Sequence, residues 1–318
     1  MSGFSILKIL VFSVWLIVFR VSASEKVVFA SYTGKAPVID GDISDSCWNE
    51  AEETTDFVLT ADSCVRAPLR TTMRVLYDDG HLYLAVDCRT AGGTEISRAE
   101  PQGDKADHYT SLDSIEVFLD PLSSRSNYYQ FVWSADGKRY DGFRMSARDF
   151  DGNWVFNTKV SSAGWTSEVA IPLDELRNGL PVAGTEWGFN MVRNDENNYS
   201  IWKYTGGAFH NPSLFGTLVI GDPGTWWREL YEERIEPDME VLQKSVRAYP
   251  KNRYLAGQSG RMDMLKRQIA GMGAPDTDIR KDELIELYGY VNSLKNLLTE
   301  TERYIEWSKR VPSGRYGR

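Results

Sequence analysis

The sequence predicts a mainly β chain: an antiparallel β-sandwich, jelly-roll-like, followed by a C-terminal α-helical hairpin or small bundle. Three observations support this. From Val27 to Gly221 the chain reads as short runs rich in β-branched and aromatic residues, broken by turn clusters roughly every ten residues. The gaps between these runs are too short for the crossover helices that parallel βαβ units need. After Asp222-Pro223-Gly224 the apolar period becomes helical.

The elements can be justified in order. Lys8 lies in a short cationic start, Ile9 to Phe19 is almost wholly apolar, and Val21-Ser22-Ala23 supplies small residues. Residues 1–23 therefore read as a secretory signal cut after Ala23, with an uncleaved anchor as the alternative. The run stops at Arg20, short of the ~20 apolar residues of a spanning helix. No later segment is apolar enough to span a bilayer. Thr71–Tyr77 and Leu82–Cys88 flank Asp78-Asp79-Gly80, a hairpin signal. Ser114–Leu119, Tyr128–Ser134, Trp165–Ile171, Trp187–Val192 and Leu214–Ile220 continue the strand series. Only brief helical stretches fit between them, such as Asp45–Ala51 and Asp174–Leu176.

In the tail, Leu284, Leu287, Val291, Leu294, Leu298 and Ile305 fall at a/d-like spacing, broken by Thr301. Leu230, Met239, Leu242 and Val246 suggest an earlier helix that Pro237 starts or kinks. Met262, Leu265 and Ile269 mark a middle helix ended by Gly271-Met272-Gly273-Ala274-Pro275. So short a heptad run fits a packed hairpin better than an oligomerising coiled coil, and the oligomeric state stays open. Trp226 and Trp227 are placed to join the tail to the sandwich.

Charge divides the chain at the same place. The whole sequence carries −9, residues 24–224 carry −13 and residues 225–318 carry +2. This balance argues against a nucleic-acid partner, which would select for basic patches. In an oxidising compartment Cys64 and Cys88 could pair, or all three cysteines, with Cys47, could be small buried hydrophobes. His81, His108 and His210 show no zinc spacing. Asp149, Asp151, Gly152 and Asn153 resemble the start of a calcium loop, but Val160 stands where the bidentate glutamate belongs. No cofactor is certain, and structural calcium on oxygen-rich loops such as Asp40-Gly41-Asp42 is the open possibility. No nucleophile elbow or Cys–His pair is visible. Glu116 and Glu168 could be imagined as a glycosidase pair, though nothing in the sequence brings them together. Trp48, Trp165 and Trp187 read as core. Trp133, Trp154 and Trp202 could be core or ligand platforms.

Six blocks carry a resemblance. Pro37-Val38-Ile39-Asp40-Gly41-Asp42 with Trp48 and Ala51 resembles the opening of the family-nine carbohydrate-binding modules. Val75-Leu76-Tyr77-Asp78-Asp79 with Leu82-Tyr83-Leu84-Ala85-Val86 is similar to their first hairpin. Asp113-Ser114-Ile115-Glu116-Val117-Phe118-Leu119-Asp120 looks like their acidic strand. Gly164-Trp165-Thr166 with Glu168-Val169-Ala170-Ile171-Pro172, then Trp187-Gly188-Phe189-Asn190, then Asn211-Pro212-Ser213-Leu214-Phe215-Gly216 complete the family's order across 36–221.

The resemblance implies a secreted, non-catalytic β-sandwich that binds glycans, an accessory to glycoside hydrolases in polysaccharide degradation, located extracellularly or in the periplasm. It implies a sugar held between two aromatic platforms. Phe209 matches the second platform, and Thr110, next to Tyr109, falls at the first. Glu116 matches the hydroxyl-binding glutamate. A binding arginine is replaced by Val132, and a binding asparagine by Gly206-Gly207. The expected carbohydrate-binding residues are therefore Tyr109 and Phe209 as platforms, Glu116 as acceptor and Gln130 assisting, since Gln130 shares the face of Val132 on a regular strand. The alternative is a cell-surface interaction protein that uses the sandwich as scaffold and the helices for partner contact.

Overall fold

The computed structural model describes residues 26–91, 113–177, 181–195, 198–275 and 281–310. Residues 1–23, read above as a secretory signal, lie outside them. The strands are β1 (Val27–Tyr32), β2 (Val58–Leu59), β3 (Thr71–Tyr77), β4 (His81–Arg89), β5 (Ser114–Asp120), β6 (Tyr129–Ser134), β7 (Arg139–Phe143), β8 (Val155–Ser161), β9 (Gly164–Pro172), β10 (Glu186–Asn194), β11 (Tyr199–Ile201) and β12 (Gly216–Ile220). They hydrogen-bond in the order β7-β6-β5-β10-β12-β1-β3-β4-β9-β8, with β11 paired to β10 and β2 to β11.

β1 is the corner. Its Val27–Ala30 half pairs with β12, and Ser31 and Tyr32 pair with β3, so one strand passes from the first layer into the second. Both pairings are parallel, which corrects the antiparallel expectation: the sheet is mixed. Hairpin rules fix the direction only of strands that are neighbours in sequence. β1 and β12 stand at opposite ends of the β region, and no tight turn constrains how they meet.

Alternation fills the space between the layers. Ile115, Val117 and Leu119 of β5 meet Leu82, Leu84, Val86 and Cys88 of β4 and Trp165, Val169 and Ile171 of β9 in one core. Trp133, Trp154 and Trp202 join it at 1% exposure or less, which decides for core over platform. Each such ring contributes about 4–6 kcal/mol of apolar burial before entropy is charged. Arg193 of β10 ties the layers at one end. It is wholly buried and donates to Asp113 at 3.0 and 2.8 Å, to the Thr71 hydroxyl and to the carbonyls of Arg70 and Arg89. Burying such a pair is tolerable because every partner is bonded.

The sequence expectations shift in detail. β12 starts at Gly216, later than expected, because Pro212–Leu214 winds into a 3-10 turn with proline at its start. β8 lacks an apolar run because it is an edge strand whose residues are mostly exposed. The three cysteines are free: Cys88 points into the core, Cys47 packs beside Trp48, and Cys64 is exposed. This corrects the Cys64–Cys88 pairing, and the all-buried alternative fails at Cys64. The hairpin fold-back of β3 and β4 sets Cys88 opposite Thr71, while Cys64 belongs to the loop after β2.

The helical region begins with α1 (Pro223–Trp226), where the Asp222 side chain accepts from the Thr225 N–H at 2.9 Å. A π-helical stretch, Trp227–Ile235, runs into α2 (Glu236–Arg247). Pro237 therefore lies inside a continuous helical path. The wide π turn just before it leaves room for a ring that would crowd an α ladder and needs no N–H partner. α3 (Arg253–Met272) is capped by Asn252, and α4 is Lys281–Arg310. The heptad residues of α4 are buried in the bundle. Thr301 does not interrupt the stripe: it is fully buried and donates its hydroxyl proton to the Leu297 carbonyl. Trp226 meets Phe29 edge-on at 6.1 Å and Tyr288 at 5.4 Å. Val27, Phe29 and Val219, the outward residues of β1 and β12, are the seat of the bundle. No helix among the described residues is long and apolar enough to cross a membrane.

Candidate functional site

Residues two apart on a strand share a face. With Ile115, Val117 and Leu119 turned inward, Glu116 and Phe118 leave β5 on the outer side. Gln130 and Val132 do so on β6, and Asn190 and Val192 on β10. Register aligns Val192, Glu116, Val132 and Tyr140 in one row and Asn190, Phe118, Gln130 and Gly142 in the next. Glu116 and Gln130 are thus diagonal neighbours. The Gln130 amide donates to the Glu116 carboxylate at 3.0 Å. Both are buried, at 3% and 0% exposure. Burial pushes the Glu116 pKa up to about 7, with the Gln130 hydrogen bond pulling against it. A carboxyl in that state retains acceptor capacity in a region of low polarity.

Aromatic rings border the pair. Phe118 packs on Tyr128, His210 and Phe215 at centroid distances of 5.8, 5.3 and 5.6 Å. The Tyr128 hydroxyl and His210 Nδ1 share a hydrogen bond at 2.9 Å, and burial lowers the His210 pKa. Phe209 stacks on Tyr199 at 5.4 Å and is packed at the edge of the same cluster. Asn190 donates to the Lys203 carbonyl at 2.9 Å and accepts from the Lys203 N–H at 3.0 Å, anchoring the segment that carries Phe209 and His210.

The structure brings Glu116 and Gln130 together and places Phe209 beside their aromatic border. Tyr109, with Thr110, lies outside the described residues. Phe118, Tyr128, Asn190, His210 and Phe215 are members of the patch that sequence reasoning missed. Phe118, Tyr128 and Asn190 were within reach of the alternation that gave Gln130. The others arrive through a loop whose path no strand pattern specifies.

Glu168 does not share this face. It leaves β9 on the outer side of the other layer, opposite the core from Glu116. There it accepts from Trp48 Nε1 at 2.8 Å and from the backbone N–H groups of Gly41 and Asp40 at 3.0 and 3.1 Å. Thr166 on the same strand donates to the Gly41 carbonyl at 2.6 Å. Gly41 has φ +86°, and a Cβ there would stand 2.6 Å from the Thr158 carbonyl carbon. The Ile39-Asp40-Gly41-Asp42 motif is therefore a backbone clamp on β9. The Asp42 carboxylate is committed to Lys159 at 2.7 Å. Asn153 donates from its backbone N–H to the Glu175 carboxylate at 2.8 Å. Among the described residues no group of three or more His, Cys, Asp or Glu side chains could hold a metal ion.

A buried acid–amide pair bordered by rings, on the outer face of a two-layered β fold, has the features of a binding site for small polar ligands with apolar faces. The sequence comparison makes the class specific. The family model described as "Carbohydrate family 9 binding domain-like" matches residues 39–222, and the chain belongs to that family. The match ends just before α1. Over 197 residues the chain is 28% identical to Exoglucanase XynX of Acetivibrio thermocellus, and over 212 residues 27% identical to Endo-1,4-beta-xylanase A of Thermoanaerobacterium saccharolyticum. These matches cover 58% and 63% of this chain and 16% of each relative. Among solved structures, the chain is similar to a family 9 module from Caldicellulosiruptor kristjanssonii in complex with cellotriose. The TM-score is 0.46 and the identity 23%, over 62% of this chain and 94% of that one.

Proposed function

We propose that the chain is a secreted, non-catalytic glycan-binding protein that acts beside polysaccharide-degrading glycoside hydrolases. The observation that carries this reading is the Glu116–Gln130 pair next to the Phe118–Tyr128–His210–Phe215 cluster, inside the region that matches the family. A pyranose has a C–H face that rings cover at low entropic cost and a rim of hydroxyls that need partners. A hydroxyl taken from water without a partner costs about 1–3 kcal/mol, so the acid and amide set selectivity. Glu116 accepts from sugar hydroxyls, Gln130 supports it, and Phe209 and Tyr109 cover the apolar faces. The curated relatives are named as glycan-cleaving enzymes, and this chain corresponds to a small part of each, which supports an accessory role. The signal-like segment at 1–23 supports export.

The test is titration calorimetry and a glycan array on the full chain, with and without calcium. Micromolar-to-millimolar binding of a neutral glycan, lost in Glu116→Ala and weakened in Phe209→Ala, is the expected result. Binding unchanged in both variants would overturn the site, and reducing ends released from polysaccharide by the pure protein would overturn the non-catalytic role.

A further inference from the structure

The outer face that carries Glu116 continues past the aromatic cluster. Asp120 follows Phe118 on β5, and Gly188 and Glu186 follow Asn190 on β10. Gly188 sits between Asp120 and Thr217 of β12, and Glu186 is opposite Val219. From Val219 onward the face is covered by the helical bundle. Between the patch and the bundle the structure leaves a cleft of about 690 Å³. Tyr204 and Phe215 line its sheet side, Tyr288, Asn292 and Asn296 of α4 line the opposite side, and Arg125 stands at the rim.

Four features fit this cleft to an extension of the glycan site. Phe215 lines it and also packs on Phe118 and Tyr128, so patch and cleft are contiguous. The floor at Gly188 is bare backbone, where a Cβ would stand 3.0 Å from the Asp120 Cβ. The far wall is fixed by an ion pair, Lys295 of α4 to Glu186 of β10 at 2.7 Å, and Trp226 Nε1 donates to the same glutamate at 3.4 Å. The lining charges are mixed, with Asp120 and Glu186 against Arg125, Lys203 and Lys295, so no single-sign field selects an acidic ligand. The volume is within the roughly 300–1,000 Å³ of ordinary ligand sites. Asp120 is four strand residues from Glu116, about 13 Å, longer than one sugar ring.

We propose that the helical region is the second wall of one elongated cleft for a neutral oligosaccharide. One ring is held at Glu116–Gln130. Further rings of the same chain lie over Phe215 and Tyr204, their hydroxyls bonded by Asn292 and Asn296. The inference rests on the glycan reading and gives the helices, which lie outside the family match, a role in chain-length preference.

The test is calorimetry of the full chain with the monosaccharides and hexasaccharides of the β-1,4-linked glucose, xylose and mannose series. The wild type should bind its hexasaccharide about tenfold tighter than the monosaccharide, a difference of ~1.4 kcal/mol. Asn296→Trp fills the cleft from an exposed helical position. It should bring the hexasaccharide to monosaccharide affinity and leave the monosaccharide unchanged. Tyr204→Ala repeats the test from the other wall, with melting curves as the folding control. A length advantage absent from the wild type, or intact in both variants, overturns the cleft while monosaccharide binding still upholds the glycan reading. No binding of any probe by the wild type overturns both.

Discussion

On the outer face of β9, Glu168 is gripped by three donors, Trp48 Nε1 and the N–H groups of Asp40 and Gly41. On the outer face of β5, Glu116 accepts among the described residues from Gln130 only. Both glutamates sit on inner strands of their layers, both point away from the shared core, and both are almost fully buried. What separates them is how much of each carboxylate the protein consumes. A carboxylate offers about four acceptor positions. Glu168 spends three of them on holding the 36–51 segment to the second layer, while the described residues fill one on Glu116, beside a cluster of rings. A buried acid on a sheet face can serve as a binding group only where the fold leaves acceptor positions unfilled.

Substitutions sharpen this contrast. Glu168→Ala strands two buried donors, Trp48 Nε1 and the Gly41 N–H, each costing about 1–3 kcal/mol when unpaired, and a part-buried third at Asp40. Equilibrium unfolding should show a loss of about 4 kcal/mol, and an intact melting temperature would show that the clamp is not structural. Glu116→Gln should act in the opposite direction. Burial favours the protonated carboxyl in the folded chain, whereas the unfolded chain ionises at the ordinary glutamate value. The folded state therefore holds more protons between that value and about pH 7, and the wild type loses stability across this window as pH rises. The glutamine variant escapes the loss. Denaturant titrations should find it equal to wild type near pH 4 and more stable by at most about 3 kcal/mol at pH 8.

Two smaller effects test the surroundings. Gly41→Ala should cost about 2 kcal/mol, because alanine is strained at this φ and its methyl meets the β8 backbone. Thermal unfolding measures it, and glycan affinity should not follow. Phe209→Ala, at a half-buried position, should cost about 1 kcal/mol of stability. It should weaken glycan binding about tenfold by calorimetry, close to the 0.5–1.5 kcal/mol that one aromatic contact supplies.

Much of this was legible from residue order. β3 has the boundaries its β-branched and aromatic run predicts, and the α4 stripe from Leu284 to Ile305 is buried as its spacing predicts. Alternation from Val132 put Gln130 on the face that also carries Glu116, and the six blocks gave the family. These features depend on local periodicity, and a period of two or of 3.6 is written in the chain itself. Other features depend on which distant segments meet. The parallel seating of β1, the free Cys64 and Cys88, the arrival of His210 and Phe215 over Phe118, and the cleft below α4 have no local signature. The sequence alone determined a mainly β region of the carbohydrate family 9 type followed by amphipathic helices. Only the tertiary structure decided that Glu168 is a clamp held by three donors and that, among the described residues, Gln130 donates to Glu116, because a carboxylate's role is set by the donors the fold brings within hydrogen-bonding distance.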